Sequence, residues 1–223
     1  MIQENLQKIL ANIPEGVTLL AVSKTKPESD ILEAYNYGIR NFGENKVQEM
    51  VGKYENLPKD IKWHLIGHLQ TNKVKYMASF VSLIHSVDSL NLLETINKEA
   101  VKVNRVIPCL LQFHIASEET KFGLSEDEAY ALLESDSYKA MKNVEICGVM
   151  GMATNTENMD VVRSEFKHLK QIFDNLHEKY FADSTTFETI SMGMSHDYQI
   201  AIEEGSTIVR IGSSIFGERN YNV

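Results

Sequence analysis

Hydrophobic and polar positions along this chain follow two rhythms that take turns. Over residues 1–13, Ile2, Leu6, Ile9 and Leu10 recur at helical spacing, and Pro14 and Gly16 close that segment before an apolar run over 17–22. This predicts a helix, a turn and a strand. The next helix, over 27–37, opens on Pro27 and ends at Gly38, as expected for proline in a first turn and glycine past a last one. A short strand over 40–42 follows. The alternation continues with a helix over 44–55, a strand over 62–66, a short helix over 72–78, a strand over 81–85, and a helix from Asp88, read as its N-cap, to Asn104. Further strands over 106–114, 143–150, 186–190 and 207–211 alternate with helices over 125–136, 157–180 and 195–204, making eight strands in all.

Strict alternation of strand and helix implies parallel strands joined by crossover helices, and eight such units favour a closed barrel over an open doubly wound sheet. The expectation is a single-domain α/β fold over 1–223, a (β/α)8 TIM-type barrel with an extra N-terminal helix. The length is below the roughly 250 residues typical of such barrels, so loops are short and little chain remains for a second domain.

Composition narrows the function classes. With 43% hydrophobic and 24% charged residues the chain can fill a sizeable interior. A formal net charge of −9 disfavours nucleic acid and anionic membranes, yet leaves room for a small anion held by a few cationic or N–H groups. No apolar run approaches the roughly 18 residues of a membrane span, and the N-terminal stretch lacks a signal-like apolar core. The two cysteines, Cys109 and Cys147, sit in apolar runs without a spacing motif, which points to a reducing compartment. The protein is therefore expected in the cytoplasm.

Candidate chemistry gathers at strand ends. Side chains alternate along a strand, so Leu20, Val22 and Lys24 share one face, and Lys24 points into the barrel mouth where barrel enzymes keep their chemistry. A strand-end lysine is ordinarily solvated. Burial and a second ammonium such as Lys26 would instead favour its neutral amine, the nucleophile that forms a Schiff base with an aldehyde. Near the other end, Ser195 is read as the N-cap of the helix after strand seven, where backbone N–H groups favour a phosphate. Strand eight runs into a Gly212-Ser213 turn, a second place for close approach to an anion. Barrel closure sets strand eight beside strand one, which brings Arg210 near Lys24.

Six segments carry a resemblance to a known family: Ala21-Val22-Ser23-Lys24-Thr25-Lys26-Pro27, Phe42-Gly43-Glu44-Asn45, Trp63-His64-Leu65-Ile66-Gly67-His68-Leu69-Gln70-Thr71-Asn72-Lys73, Lys121-Phe122-Gly123-Leu124, Ser191-Met192-Gly193-Met194-Ser195 and Val209-Arg210-Ile211-Gly212. Over nearly its whole length the chain resembles the YggS/PROSC family of pyridoxal phosphate-binding proteins, the pyridoxal phosphate homeostasis proteins. The resemblance implies the barrel of alanine racemase and the other fold-type III proteins. It also implies pyridoxal 5′-phosphate as cofactor, joined to Lys24 as an internal aldimine, with its phosphate on Ser195, Gly212 and Ser213. Arg210 would face the pyridine nitrogen, and Asn45 would lie near the ring or its substituents.

An arginine at the ring nitrogen disfavours protonation there and weakens the ring as an electron sink. Racemase relatives also add a second domain and a partner subunit that supply a tyrosine acid/base, for which this chain is too short. The function so implied is holding the cofactor, keeping free aldehyde low and passing it to apo-enzymes, without classical turnover and with no catalytic residue. The protein is expected to be a monomer. A pyridoxal phosphate-dependent amino-acid racemase or lyase using the same site is the alternative, and a barrel acting on a sugar phosphate through a Schiff-base lysine is a third. One departure is Gln112-Phe113-His114, where the family usually has Gln-Val-Asn, so His114 is left out of the site. His64 and His68 stand four apart but at a strand end with no third ligand in pattern, so no metal is expected, and His64 is retained as a pocket wall.

Overall fold

The structure, a computed structural model, describes residues 1–119 and 122–218, so Lys121 of the fourth matching segment lies outside the described residues. Amphipathic α1 (Ile2–Leu10) precedes β1 (Thr18–Val22), α2 (Glu28–Tyr37), β2 (Asn41–Glu44), α3 (Val47–Asn56) and β3 (Lys62–Leu65). A 3-10 turn at Thr71–Lys73 leads into α4 (Val74–Met77), then β4 (Leu83–Val87), α5 (Leu90–Lys102) and β5 (Ile107–Phe113). The second half continues with α6 (Glu126–Glu134), α7 (Asp136–Ala140), β6 (Val144–Gly151), α8 (Met159–Tyr180), β7 (Thr189–Ser191), α9 (Tyr198–Glu203), β8 (Ile208–Ile211) and α10 (Ser213–Phe216).

All eight strands are parallel and close into a barrel in sequence order. The seam is the pairing of β1 with β8, in register Leu20↔Arg210 and Ala21↔Ile211. The period-two pattern read from β1 has its cause here. Leu19 and Ala21 pack outward with the helices, whereas Leu20 joins Leu83, Leu110, Met150 and Ile208 in a small cluster inside the barrel. Each such fully buried aliphatic side chain stabilises the fold by about 1.5–3 kcal/mol.

Several local expectations change. Helix α5 is capped by Ser89, whose hydroxyl accepts from the Leu92 N–H, rather than by Asp88. Ser135 caps α7, an extra turn where the pattern had shown one helix ending. After β8 the Gly-Ser segment winds into α10 instead of a simple turn. Helix α10 is tied to the N-terminal helix by the Asn5 amide, which donates to the Ile215 carbonyl at 2.9 Å, so the extra helix buttresses one wall of the barrel mouth. No helix among the described residues is long and apolar enough to cross a membrane.

Candidate functional site at the barrel mouth

A cavity of about 270 Å³ opens at the C-terminal ends of the strands. It gathers all six residues singled out from sequence: Lys24, Asn45, Ser195, Arg210, Gly212 and Ser213. Its apolar walls are Val22, Ile66, Met152 and Met194. Among the described residues the lining carries Lys24, Lys26 and Arg210 but no Asp or Glu, in a chain with net charge −9. This local sign reversal favours a small anion in the cavity.

The segment bearing Lys24 is gripped from behind. Lys53, on α3, sends its buried ammonium to the Ser23 carbonyl at 2.8 Å, to the Glu44 carboxylate at 2.6 Å and to the Glu49 carboxylate at 2.7 Å. The Ser23 hydroxyl donates to Glu44 Oε1 at 2.6 Å, and the Thr25 N–H donates to Glu49 Oε1 at 2.6 Å. Thr25 adopts φ 65°, a left-handed conformation uncommon for a β-branched residue, and the Glu49 contact holds it there. Burial pushes the Glu44 carboxyl up to about 7, against the pull of Lys53. Lys26 is engaged too, since its ammonium donates to the carbonyls of Phe216 and Gly217 at 3.1 Å and ties the β1 loop to the end of α10.

Asn45 is fixed by close backbone approach. A Cβ on Gly67 would lie 2.3 Å from the Asn45 carbonyl oxygen, so only glycine lets the loop after β3 pack against the loop after β2.

Ser195 differs from its expected role. Helix α9 starts at Tyr198, with Asp197 at the N-cap position and no side-chain capping bond there, because the Asp197 carboxylate instead accepts from the Met194 N–H at 2.6 Å. Ser195 thus sits in the loop before the helix. Its hydroxyl accepts from the backbone N–H groups of Gly212 at 3.3 Å and Ser214 at 3.4 Å. Two N–H donors converge on one oxygen at long range, an arrangement suited to an anion's oxygen.

Arg210 is 3% exposed, and burial lowers its pKa to about 10, which leaves it cationic at neutral pH. Its Nη1 donates to the Ser191 hydroxyl at 2.7 Å and its Nη2 to the Gly151 carbonyl at 3.1 Å. His64, expected as a pocket wall, is not in the lining; it is buried and its Nδ1 lies 2.9 Å from His85 Nε2. His68 turns outward, where it stacks on Phe122 at 4.0 Å and lies 3.6 Å from Asp88. His114 borders a different cavity and its Nε2 lies 2.7 Å from the Glu118 carbonyl. Sequence reasoning missed Glu44, Lys53, Glu49, Gly67 and His85. Glu44 and Gly67 stood within matching segments, whereas nothing in the pattern marked Lys53 or His85.

The family model of the alanine racemase N-terminal domain matches residues 1–220. The pyridoxal phosphate homeostasis protein of Aquifex aeolicus is 43% identical over 222 residues, covering 98% of this chain and 95% of its own. That of Homo sapiens is 36% identical over 236 residues, covering 99% of this chain and 85% of its own. The solved structure of PipY of Synechococcus elongatus with pyridoxal phosphate bound superposes with a TM-score of 0.87 at 33% identity, over 97% of this chain and 100% of that one. Alanine racemase of Bartonella henselae, 16% identical with a TM-score of 0.74 over 100% of this chain and 60% of that one, shares the fold. The chain belongs to the alanine racemase N-terminal domain family and, within it, to the pyridoxal phosphate homeostasis proteins.

Proposed function

We propose that this protein binds pyridoxal 5′-phosphate covalently through Lys24 and serves to hold the cofactor and deliver it to apo-enzymes. The observation that carries this reading is that Lys24, Arg210, Ser195 and Gly212 line one cavity whose lining, among the described residues, holds no carboxylate, with the Gly212 and Ser214 N–H groups converging on the Ser195 hydroxyl. PipY, whose match covers 97% of this chain, has been solved with pyridoxal phosphate bound.

The donor set fits the group. A phosphate dianion would have two converging N–H donors with the hydroxyls of Ser195 and Ser213, the ring would have Val22, Ile66 and the two methionines, and the ring nitrogen would have Arg210. When bound, pyridoxal phosphate supplies an aldehyde that condenses with an amine and a ring that can delocalise an electron pair. Lys24 would supply the amine for that condensation, a carbon–nitrogen double bond replacing the carbonyl oxygen, which would leave as water. Asn45 orients the ring substituents. Arg210, fixed in charge, would donate to the ring nitrogen and disfavour a proton on it, which would favour storage over carbanion chemistry.

Equilibrium titration with pyridoxal phosphate tests this. Wild type should take up one cofactor per chain, whereas Lys24→Ala should retain a weaker, phosphate-anchored affinity that borohydride does not fix. The loaded protein should activate an apo-enzyme even when an amine scavenger removes free aldehyde. Failure of that transfer would overturn delivery. Turnover of an L- or D-amino acid that Lys24→Ala abolishes would replace storage by a racemase or lyase.

A further inference from the structure

Beneath the cavity a file of polar side chains crosses the barrel interior. Arg210 Nη1 donates to Ser191 Oγ at 2.7 Å, and that oxygen lies 2.8 Å from His85 Nδ1. His85 Nε2 lies 2.9 Å from His64 Nδ1, and His64 Nε2 lies 3.2 Å from Asn41 Oδ1. His85 and Ser191 are fully buried, and His64 is 6% exposed. Around them stand Leu20, Leu83, Leu110 and Ile208, an apolar setting in which unsatisfied polar groups are costly.

The order of the protons follows from one end. At the far end Asn41 Oδ1 can only accept, so a neutral His64 donates to it through Nε2 and accepts at Nδ1. That leaves His85 Nδ1 to accept from the Ser191 hydroxyl, while Ser191 Oγ accepts from the donor-only guanidinium of Arg210. His85 then carries its proton on Nε2 and donates to His64 Nδ1, and His64 donates through Nε2 to Asn41 Oδ1. Every ring nitrogen is used, and both histidines are neutral. Burial enforces that neutrality, since it holds both imidazoles well below their usual range.

We propose that His85, acting with Ser191 and His64, is a positioning residue for Arg210, and that this brace makes the site select a ring bearing a nitrogen acceptor over the same ring with C–H in its place. The proposal rests on the pyridoxal phosphate reading. An arginine has a long, flexible side chain. Here two of its five donors are spent on Ser191 and Gly151, which leaves the rest of a fixed fork to meet the ligand. Loss of Ser191 or His85 would free the fork and leave a buried donor or acceptor unmatched.

The test compares pyridoxal phosphate with its carbocyclic analogue, in which the ring nitrogen is replaced by C–H, by equilibrium titration against wild type, Ser191→Ala, His85→Leu and His85→Asn. Wild type should prefer the natural ligand by about tenfold or more, as for a charge-assisted hydrogen bond. Ser191→Ala and His85→Leu should bring the two affinities within about twofold by weakening the natural ligand alone. His85→Asn, whose Oδ1 can accept from Ser191 where Nδ1 stood, should restore most of the preference. Should His85→Leu not fold, Ser191→Ala, which removes one hydroxyl, decides the question. Equal weakening of both ligands, or an unchanged preference in Ser191→Ala, would overturn the brace. A wild type that binds both ligands equally well would overturn it too while leaving the cofactor assignment intact. A wild type that binds neither would overturn the cofactor assignment itself.

Discussion

The ammonium of Lys53 lies 2.6 Å from the carboxylate of Glu44, and both are buried directly behind the segment that carries Lys24. Removing Lys53 takes away the cation that offsets the burial of Glu44, so the carboxyl protonates and the buried hydrogen bonds to Ser23 and Glu44 lose their donor. Lys53→Met should therefore destabilise the fold by about 1–3 kcal/mol and weaken pyridoxal phosphate binding as well, because the Ser23 carbonyl loses its donor and Glu49, which holds the Thr25 N–H, loses its cation. Urea denaturation followed by ligand titration checks both. A loss under about 1 kcal/mol, as for an exposed pair, would show that the cluster does not hold the segment.

Gly67 tests the placement of Asn45. Its missing side chain lets the two loops touch, and a methyl group would meet backbone that cannot give way cheaply. Gly67→Ala should cost about 1–3 kcal/mol of stability. Affinity for pyridoxal phosphate should fall about tenfold, equal to about 1.4 kcal/mol, as Asn45 is displaced. Unchanged melting and unchanged affinity together would contradict this.

Ser195 is the clearest probe of the phosphate cradle. Ser195→Ala should weaken pyridoxal phosphate about tenfold yet leave pyridoxal, which lacks the phosphate, within about twofold. If both ligands weaken alike, Ser195 acts on the ring or on folding and the phosphate lies elsewhere.

Stability should depend on pH through the buried histidines. Burial, with Lys62 nearby, pushes His64 down to about 3, and burial likewise lowers His85. As pH falls below about 6.5 the unfolded chain takes up protons that the folded chain refuses, so stability drops by up to about 1.4 kcal/mol per pH unit for each histidine. Glu44 acts in the opposite sense. Its carboxyl, raised to about 7, contributes stability that is complete below the usual carboxylate range and is lost as pH rises toward 7. The two effects partly cancel above about pH 4.5, and the histidine loss stands alone below it. Urea denaturation from about pH 6 to pH 4 should show a slope shallower in His85→Asn than in wild type by about 1.4 kcal/mol per unit. Equal slopes would mean that His85 is not buried neutral.

The barrel was legible because its signals are local and repetitive. Alternation along β1 placed Leu20 inside, and the closure that pairs Leu20 with Arg210 leaves Lys24 and Arg210 lining one cavity. The turn chemistry was less legible. Ser195 reads as an N-cap by residue type, but Asp197 sits at the helix start and takes the Met194 N–H, while the Ser195 hydroxyl is engaged by the N–H groups of Gly212 and Ser214, distant in sequence. Lys53 was not legible, because a lysine within an amphipathic helix looks like a solvated one until its partners on β2 and in the β1 loop are brought against it. The link from His64 to His85 spans two strands, and hydrogen bonds between side chains 21 residues apart leave no periodic trace.

The most direct test of the central assignment is borohydride reduction of the protein loaded with pyridoxal phosphate, followed by peptide mapping of the labelled lysine. A lysine Schiff base should give a visible absorption band that disappears on reduction and leaves a pyridoxyl group on Lys24 alone. A label on Lys26 or another lysine, or a protein that stays colourless and unlabelled with excess cofactor, would contradict the role assigned to Lys24.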